Sequence, residues 1–500
     1  MLGFSNDIRV LNSTYLFNEL IGLSLILIPV NLMIAGNIYV GSGKAQTSIA
    51  SILVVLFAIV IFFLYLLKPF IAYLICSSIA ISDFFSLLPY TVYKIEGVAR
   101  LDDIALVLTL FYIAFMRNRK GSVTISFKRE ILFLASYMLL QAVYTILISG
   151  TSPLGILRET RGYIQIFWVF TVPFFIKRDD QVANFMRFML VGTLFNILMY
   201  SIQVVFKIRL GYVDSQSYLA LNGNESFRVW QGFPDTTFLL MGMSLGYILS
   251  RGKKNRRWSF IIFFASLSCL LLSNIRVYLF SYLAGLILVY VLNLRPDIKR
   301  RRRKLSTVVA VFLIGAMSFM IAEKLLGVGD VLLSRFTSEG SLSSMISSDA
   351  NLAGRLLFLG EVFHETLLYN PLLGFGFVSA GAPILVKYGI NYFGSYTIRN
   401  NDIGAATIFG QGGWLFVVIL LVLVFMLSIK LWNIRKKSTS LFVRNTTVSL
   451  IVFMLCQIPI SFANLGLTSG HIWAIIGLGI GLMSVCFKKE RKENLQVEAF

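Results

Sequence analysis

At 500 residues the chain has the length of several soluble domains, but 57% of it is hydrophobic, only 14% is charged, and the mean hydropathy is +0.78. No water-soluble core buries that much apolar surface, so a soluble enzyme is excluded and lipid must solvate most of the chain. The net charge of +21 does not mark a nucleic-acid binder, because the Lys and Arg fall in short clusters between apolar runs.

In chain order, Met1 to Glu19 is mixed in polarity, and the first apolar run is too long for a signal sequence, which predicts no cleavable leader. Apolar runs follow at 20–40, 47–67, 70–90, 101–116, 131–149, 163–176, 183–206, 235–250, 258–274, 277–294, 305–323, 412–432, 445–463 and 470–487. Their lengths predict an all-α, polytopic membrane bundle of about fourteen transmembrane helices, since a helix satisfies its own backbone in hydrocarbon. The organisation expected is a membrane bundle over 1–323 with about eleven spans, a long loop with short helices over 324–411, further spans over 412–487, and a tail over 488–500.

Basic clusters recur after every second run: Arg117 to Lys120, Lys177–Arg178, Arg251 to Arg257, Arg295 to Lys304, Lys430 to Lys437, and Lys488 to Lys492. The positive-inside rule places them all in the cytoplasm, with both termini, in a plasma membrane crossed many times. The segments 150–162, 207–234 and 324–411 are then extracytoplasmic. The last is far longer than an ordinary connection and carries apolar side chains to pack with, among them Phe358, Phe363, Leu367 and Phe375. An ordered loop of that length over a bundle is where a lid or an active site is expected. Cys76, Cys269, Cys456 and Cys486 lie in apolar runs without metal spacing and read as small buried hydrophobes.

Cations on the outer side are the ones the positive-inside rule does not ask for. Arg158 and Arg161 stand in LRETRGY, Arg228 in FRVWQGFPD, Arg276 in SNIRVY, Arg355 at the start of RLLFLGEVFHETLLYNPLLGFG, and Arg399 in IRNND. Six planar guanidinium forks near one membrane boundary suit the oxygens of a phosphate or pyrophosphate.

Several of these segments resemble the O-antigen polymerase and O-antigen ligase superfamily. GRLLFLGEVFHETLLYNPLLGFG is similar to its signature loop, in which Gly-Arg opens an amphipathic helix and an Asn-Pro-Leu-x-Gly-x-Gly turn follows. Here those positions are Gly354, Arg355, Asn370, Pro371, Leu372, Gly374 and Gly376. SNIRVYLFSYLAGL resembles the family's Ser-Arg segment, and FRVWQGFPDTTFL its Arg-x-x-x-Gly-x-Phe stretch with Arg228 and Gly232. Where the family has His-Asn, this chain reads Asn400-Asn401-Asp402, followed by Gly410-Gln411-Gly412-Gly413. The family's histidine is thus replaced by Asn400, and its role as base does not carry over. Asp402 is the nearest acid, with Glu361, Glu365 and Asp235 behind it. His364 reads as a surface residue and His471 as a span boundary.

No metal constellation is expected. The adjacent Asp102–Asp103 are too little for one, and Asp83 inside an apolar run reads as an interhelical contact. The resemblance implies a GT-C-like bundle in a bacterial inner membrane that acts as a cofactor-free polysaccharide polymerase. It would transfer an undecaprenyl-pyrophosphate-linked glycan onto a lipid-linked repeat unit, with inversion, beside membrane lipids and a chain-length regulator protein. In that reaction Arg228, Arg276, Arg355 and Asp402 are the expected catalytic residues. Arg158, Arg161, Arg399, Asn400 and Asn401 are the expected binding residues. A ligase using the same chemistry, or a flippase for lipid-linked oligosaccharides, is the alternative reading.

Overall fold

The computed structural model describes residues 43–86, 94–95, 99–120, 127–206, 218–221, 224–227, 234–250, 256–272, 276–293, 350–378, 384, 403–462 and 466–498. The expected spans 20–40 and 305–323 lie outside the described residues. The helices are α1 (Gly43–Leu67), α2 (Pro69–Ser86), α3 (Leu101–Lys120), α4 (Lys128–Ser149), α5 (Pro153–Ile164), α6 (Trp168–Phe175), α7 (Asp179–Phe206), α8 (Pro234–Leu249), α9 (Arg256–Leu272), α10 (Arg276–Asn293), α11 (Ala350–Tyr369), α12 (Gly404–Lys437), α13 (Leu441–Ser461) and α14 (Gly470–Glu498). Two antiparallel ribbons interrupt them, β1 (Lys94–Ile95) with β2 (Ala99–Arg100), and β3 (Tyr218–Leu221) with β4 (Asn224–Phe227). Among the described residues five helices are long and apolar enough to cross a membrane, and five shorter apolar helices accompany them. The protein is a helical membrane bundle.

Local sequence explains how the chain turns at the end of α4. Gly150 takes the left-handed conformation at φ +62° and closes α4, its N–H donating to the Ile146 carbonyl. Ser152 caps α5 by accepting from the Gly155 N–H, and Pro153 occupies the first helical position. Without leaving right-handed backbone, α5 passes through a 3-10 turn at Gln165–Phe167 into α6. The run expected as a span over 163–176 is therefore only the apolar end of a helix that starts ten residues earlier.

At the centre of the bundle α13 and α14 are almost wholly enclosed. Close approach is made possible by small residues: a Cβ on Gly477 would lie 2.7 Å from the Ile166 carbonyl oxygen, and one on Gly481 would lie 2.7 Å from Val172 Cγ2. On the periphery the order is reversed. Leu140 and Leu147 of α4 are 69% and 77% exposed, an arrangement stable only where the surroundings are hydrocarbon.

Contacts between helix ends sort the bundle into two faces. Lys430 of α12 pairs with Glu130 of α4 at 2.5 Å, and Lys489 of α14 with Asp179 of α7 at 2.8 Å. Arg435 donates to the Leu292 carbonyl of α10, and Glu490 accepts from Ser438, Thr439 and the Ser440 N–H just before α13. All these groups belong to the end that carries the basic clusters. The opposite end gathers Thr145, Gln141, Phe377, Gln411, Asp235, Gln457 and the start of α14.

At that second end lies an interlock of two glycine-bearing segments. After α11 the chain makes a turn at 370–376, in which Asn370 Oδ1 accepts from the N–H groups of Leu372 (3.2 Å) and Leu373 (3.1 Å). α12 is broken at Gly413, whose φ +58° and ψ −157° are open to glycine but hostile to other residues. The turn seats in that break. Phe375 N–H donates to Gly410 O at 2.8 Å, Trp414 N–H to Pro371 O at 2.9 Å, and Leu415 N–H to Leu372 O at 3.2 Å. A Cβ on Gly413 would lie 2.5 Å from the Leu372 carbonyl carbon, and one on Gly374 would lie 2.5 Å from Gly410 O. From α4, Gln141 Nε2 donates to both Leu373 O and Gln411 O at 2.7 Å, and Thr145 Oγ1 accepts from Phe377 N–H at 2.8 Å.

Two outcomes follow from this geometry. Gly413→Ala costs about 1–3 kcal/mol in backbone strain alone. Gln141→Leu costs about 1–3 kcal/mol for each carbonyl left unpaired. Both variants melt earlier than wild type in detergent and expose the 370–376 turn to protease; unchanged melting in both would refute the interlock. For sidedness, a cysteine replacing exposed Leu372 reacts with an impermeant maleimide on intact cells. One replacing Lys437 reacts only after permeabilisation, over a low background because the four native thiols are buried. The reverse pattern would invert the topology.

Candidate functional site

The polar groups of the second end begin at the first turn of α3. Arg100, just before the helix, donates its backbone N–H to Asp103 Oδ2 at 3.1 Å, the reciprocal half of a capping box with aspartate in the third position. Asp103 Oδ1 accepts from Gln165 Nε2 at 3.1 Å, and Gln165 Oε1 accepts from Trp168 Nε1 at 2.9 Å. Asp102 is buried against the start of α14, where a Cβ on Gly470 would lie 3.6 Å from Asp102 Oδ2. The aspartate pair thus ties α3 to the 3-10 turn and to the α14 entrance. Among the described residues no three metal-ligating side chains come together.

Facing that pair is the polar side of α5. Glu159 and Tyr163 stand four residues apart and so share a helix face, and Gln411 from the α12 break spans both. Tyr163 OH donates to Gln411 Oε1 at 3.4 Å, and Gln411 Nε2 donates to Glu159 Oε2 at 3.5 Å. Glu159 Oε1 is enclosed and has no hydrogen-bond partner among the described residues. Burial pushes the Glu159 carboxyl up to about 7, against the pull of Arg158 and Arg161. The Arg161 guanidinium is held below its ordinary value by burial and by Arg100, while Asp103, Asp102 and Glu159 act in the other direction. Arg161 remains a cation, set in a field of both signs.

Beside this end α1 and α3 leave an apolar cleft of about 370 Å³, lined by Val55, Ile59, Phe62, Phe63, Ile104 and Leu108. It opens next to Ile104, the residue after Asp103.

A second cluster joins α8, α10 and α13. Asp235 Oδ1 accepts from Tyr282 OH in a short bond and from Gln457 Nε2 at 3.2 Å, and Gln457 Nε2 also reaches Tyr282 OH at 3.1 Å. Tyr282 stacks on Phe238 with ring centroids 4.3 Å apart. Asp235 is fully enclosed and serves as an interhelical lock.

Of the residues singled out in the sequence, Arg158 and Arg161 are placed together, half-buried, on α5. Arg276 opens α10 and Arg355 lies in the first part of α11; their side chains lie outside the described residues, as do Arg228, Arg399, Asn400, Asn401 and Asp402 entirely. Glu361 and Glu365 lie on α11, where His364 is exposed; His471 Nδ1 lies 2.9 Å from the Ala80 carbonyl oxygen, to which it donates. Two site residues were missed. Glu159 stands between the two arginines of LRETRGY and is the one acid in the 150–162 segment, which was signal enough. Gln411 was read only as a spacer among glycines.

The chain matches no protein-family model and no curated protein. A solved structure described as "Structural coordination of polymerization and crosslinking by a peptidoglycan synthase complex" contains a chain 13% identical to this one. The alignment covers 72% of this chain and 97% of that one, with a TM-score of 0.41.

Proposed function

We propose that the chain is a membrane glycosyltransferase that polymerises a polysaccharide from lipid-linked repeat units on the extracytoplasmic side, without a metal ion. The observation that carries this reading is the interlock. The Asn370–Gly376 turn seats on Gly410–Gly413, and Gln411 from that joint reaches Glu159 between Arg158 and Arg161. The two segments of the family-like pattern are thus one physical unit, and it touches the cationic, half-buried face of α5.

In the proposed reaction an acceptor hydroxyl attacks the anomeric carbon of the donor sugar, and the bond to the pyrophosphate breaks. Negative charge then builds on the departing bridging oxygen. Guanidinium groups fixed beforehand stabilise it better than water can, because they need no reorganisation. Arg158 and Arg161 stand ready on α5. Arg276 sits at the N-terminus of α10, where the helix dipole adds to its charge, and Arg228, Arg355 and Arg399 complete the proposed set. Asp402 would be a catalytic acid beside them, and Asn400 and Asn401 would contact the glycan. The first isoprene units of the donor's tail would lie in the apolar cleft between α1 and α3, whose lining offers them no polar group to desolvate.

Purified protein in liposomes, given a lipid-linked repeat unit as sole donor and acceptor, produces a ladder of lengthening chains; a ligase would produce none. Arg276→Ala and Arg355→Ala each lower the rate on the order of 10²–10³-fold, the usual loss for one donor to a developing anion. Lysine at either position restores only part of it, since the point charge lacks the fork. Wild-type chain length in both alanine variants would overturn the arginine assignment.

A further inference from the structure

The pattern that suggests glycosyl transfer has Asn400 where a histidine would be, and the acid nearest to it, Asp402, lies outside the described residues. The carboxylates of the outer end differ sharply in how their oxygens are occupied. Both Asp103 oxygens are engaged, by the Arg100 N–H and by Gln165, in holding α3 to the 3-10 turn. Asp235 is fully enclosed and already accepts from Tyr282 and Gln457. Glu159 alone among these three is half-exposed while keeping one enclosed oxygen, Oε1, with no donor among the described residues.

An enclosed carboxylate oxygen without a donor is costly, and protonation of the carboxyl relieves it. The surroundings hold Glu159 between the anion and the acid. Arg158 and Arg161 on its own helix favour the anion. From the neighbouring elements come Asp102 and Asp103 on α3, which act on Arg161 together with Arg100 of β2. Tyr163 of α5, Tyr137 of α4 and Gln411 of α12 are uncharged. The long 3.5 Å contact from Gln411 orients the carboxyl without saturating it, as in many unliganded sites.

We propose that Glu159 is the catalytic base of the glycosyl transfer; the assignment rests on the polymerase reading above. The acceptor hydroxyl donates to Glu159 Oε2 in place of the long contact from Gln411, while Oε1 stays enclosed. As its oxygen forms the new bond to the anomeric carbon, its proton passes to the carboxylate. The electron pair of the breaking carbon–oxygen bond leaves on the pyrophosphate, beside Arg158 and Arg161. Glu159 returns the proton to water before the next cycle. The position of its titration, about 7, matches a base working near neutrality.

The test uses the full chain in liposomes with a lipid-linked repeat unit, followed as rate against pH from 5.5 to 8.5, a window on both sides of that titration. Wild type gains kcat/KM as pH rises through about 7, because only the unprotonated carboxylate accepts a proton and kcat/KM reports the free enzyme. Glu159→Gln keeps its KM, loses about 10²-fold or more in kcat, and shows no such rise. Glu159→Asp recovers part of the rate and the pH dependence. A Glu159→Gln rate within about threefold of wild type, or one that keeps the rise, overturns the assignment while leaving the polymerase reading intact. If wild type itself makes no ladder, both fall. Should Glu159→Gln fail to give a monodisperse protein, a flat wild-type profile still overturns the proposal, and a rise restored by Glu159→Asp supports it.

Discussion

The end of this bundle opposite the basic clusters depends on one contact, backbone against backbone, between the Asn370–Gly376 turn and the Gly413 break in α12. A transmembrane helix cannot leave carbonyls unpaired in a low-dielectric setting, so a break at Gly413 needs replacement donors. Phe375 N–H supplies one to Gly410, Gln141 Nε2 supplies one to Gln411, and Tyr137 OH approaches Gly412 O at 3.4 Å. In return Pro371 and Leu372 take the N–H groups of Trp414 and Leu415. Each segment thus completes the other's hydrogen bonding, and neither would hold its shape alone. Aromatic packing seals the joint, with Phe363 stacked on Phe409 at 3.8 Å between centroids and Tyr369 on Phe375 at 4.8 Å.

What the interlock achieves is placement. Gln411 emerges from the break toward α5, and α5 is itself held by Gly162 against the Thr468 carbonyl and by Gln165 against Asp103. A side chain on Gly162 would meet Thr468 O at 2.5 Å, so α5 sits deeper than a bulkier sequence would allow. That depth is why Arg161 and Glu159 are half-desolvated instead of lying free on the surface. Coulombic interactions strengthen in such a setting, which makes a small polar cluster chemically useful.

Much of the fold was legible because hydrocarbon imposes length and polarity on every span. The starts of α3 and α8 emerge where the apolar runs place them, and the described basic helix ends gather at one end of the bundle. Where the sequence misleads, the cause is local. Run 163–176 looked like a span because its apolar residues are contiguous, yet the helix begins at Pro153, set by the Ser152 cap. The two glycine motifs were readable as turns, but their docking was not. Nothing in Gly410-Gln411-Gly412-Gly413 indicates a partner forty residues earlier, and nothing marks Gln141, an amide in an apolar helix, as the clamp on carbonyls far along the chain. In LRETRGY the arginines attracted notice because they defied the positive-inside rule. The acid between them broke no rule, and only its enclosure in the folded bundle distinguishes it.

That enclosure also couples the two halves of the proposed chemistry. Arg158 and Arg161 draw the Glu159 titration downward, and burial outweighs them. A pyrophosphate bound to the same arginines brings at least one further negative charge to within a few ångströms of their forks and cancels much of their field. Glu159 then loses its stabilising cations and holds a proton more tightly, so it becomes a stronger base once the donor is in place. When the pyrophosphate departs, the arginines are uncovered, the carboxylate weakens as a base, and its proton is released to water. A site with the arginines alone would bind the donor without activating the acceptor, and one with the acid alone would have no reason to respond to the donor. In the proposed reaction their adjacency on one turn of α5 would make acceptor activation contingent on donor binding.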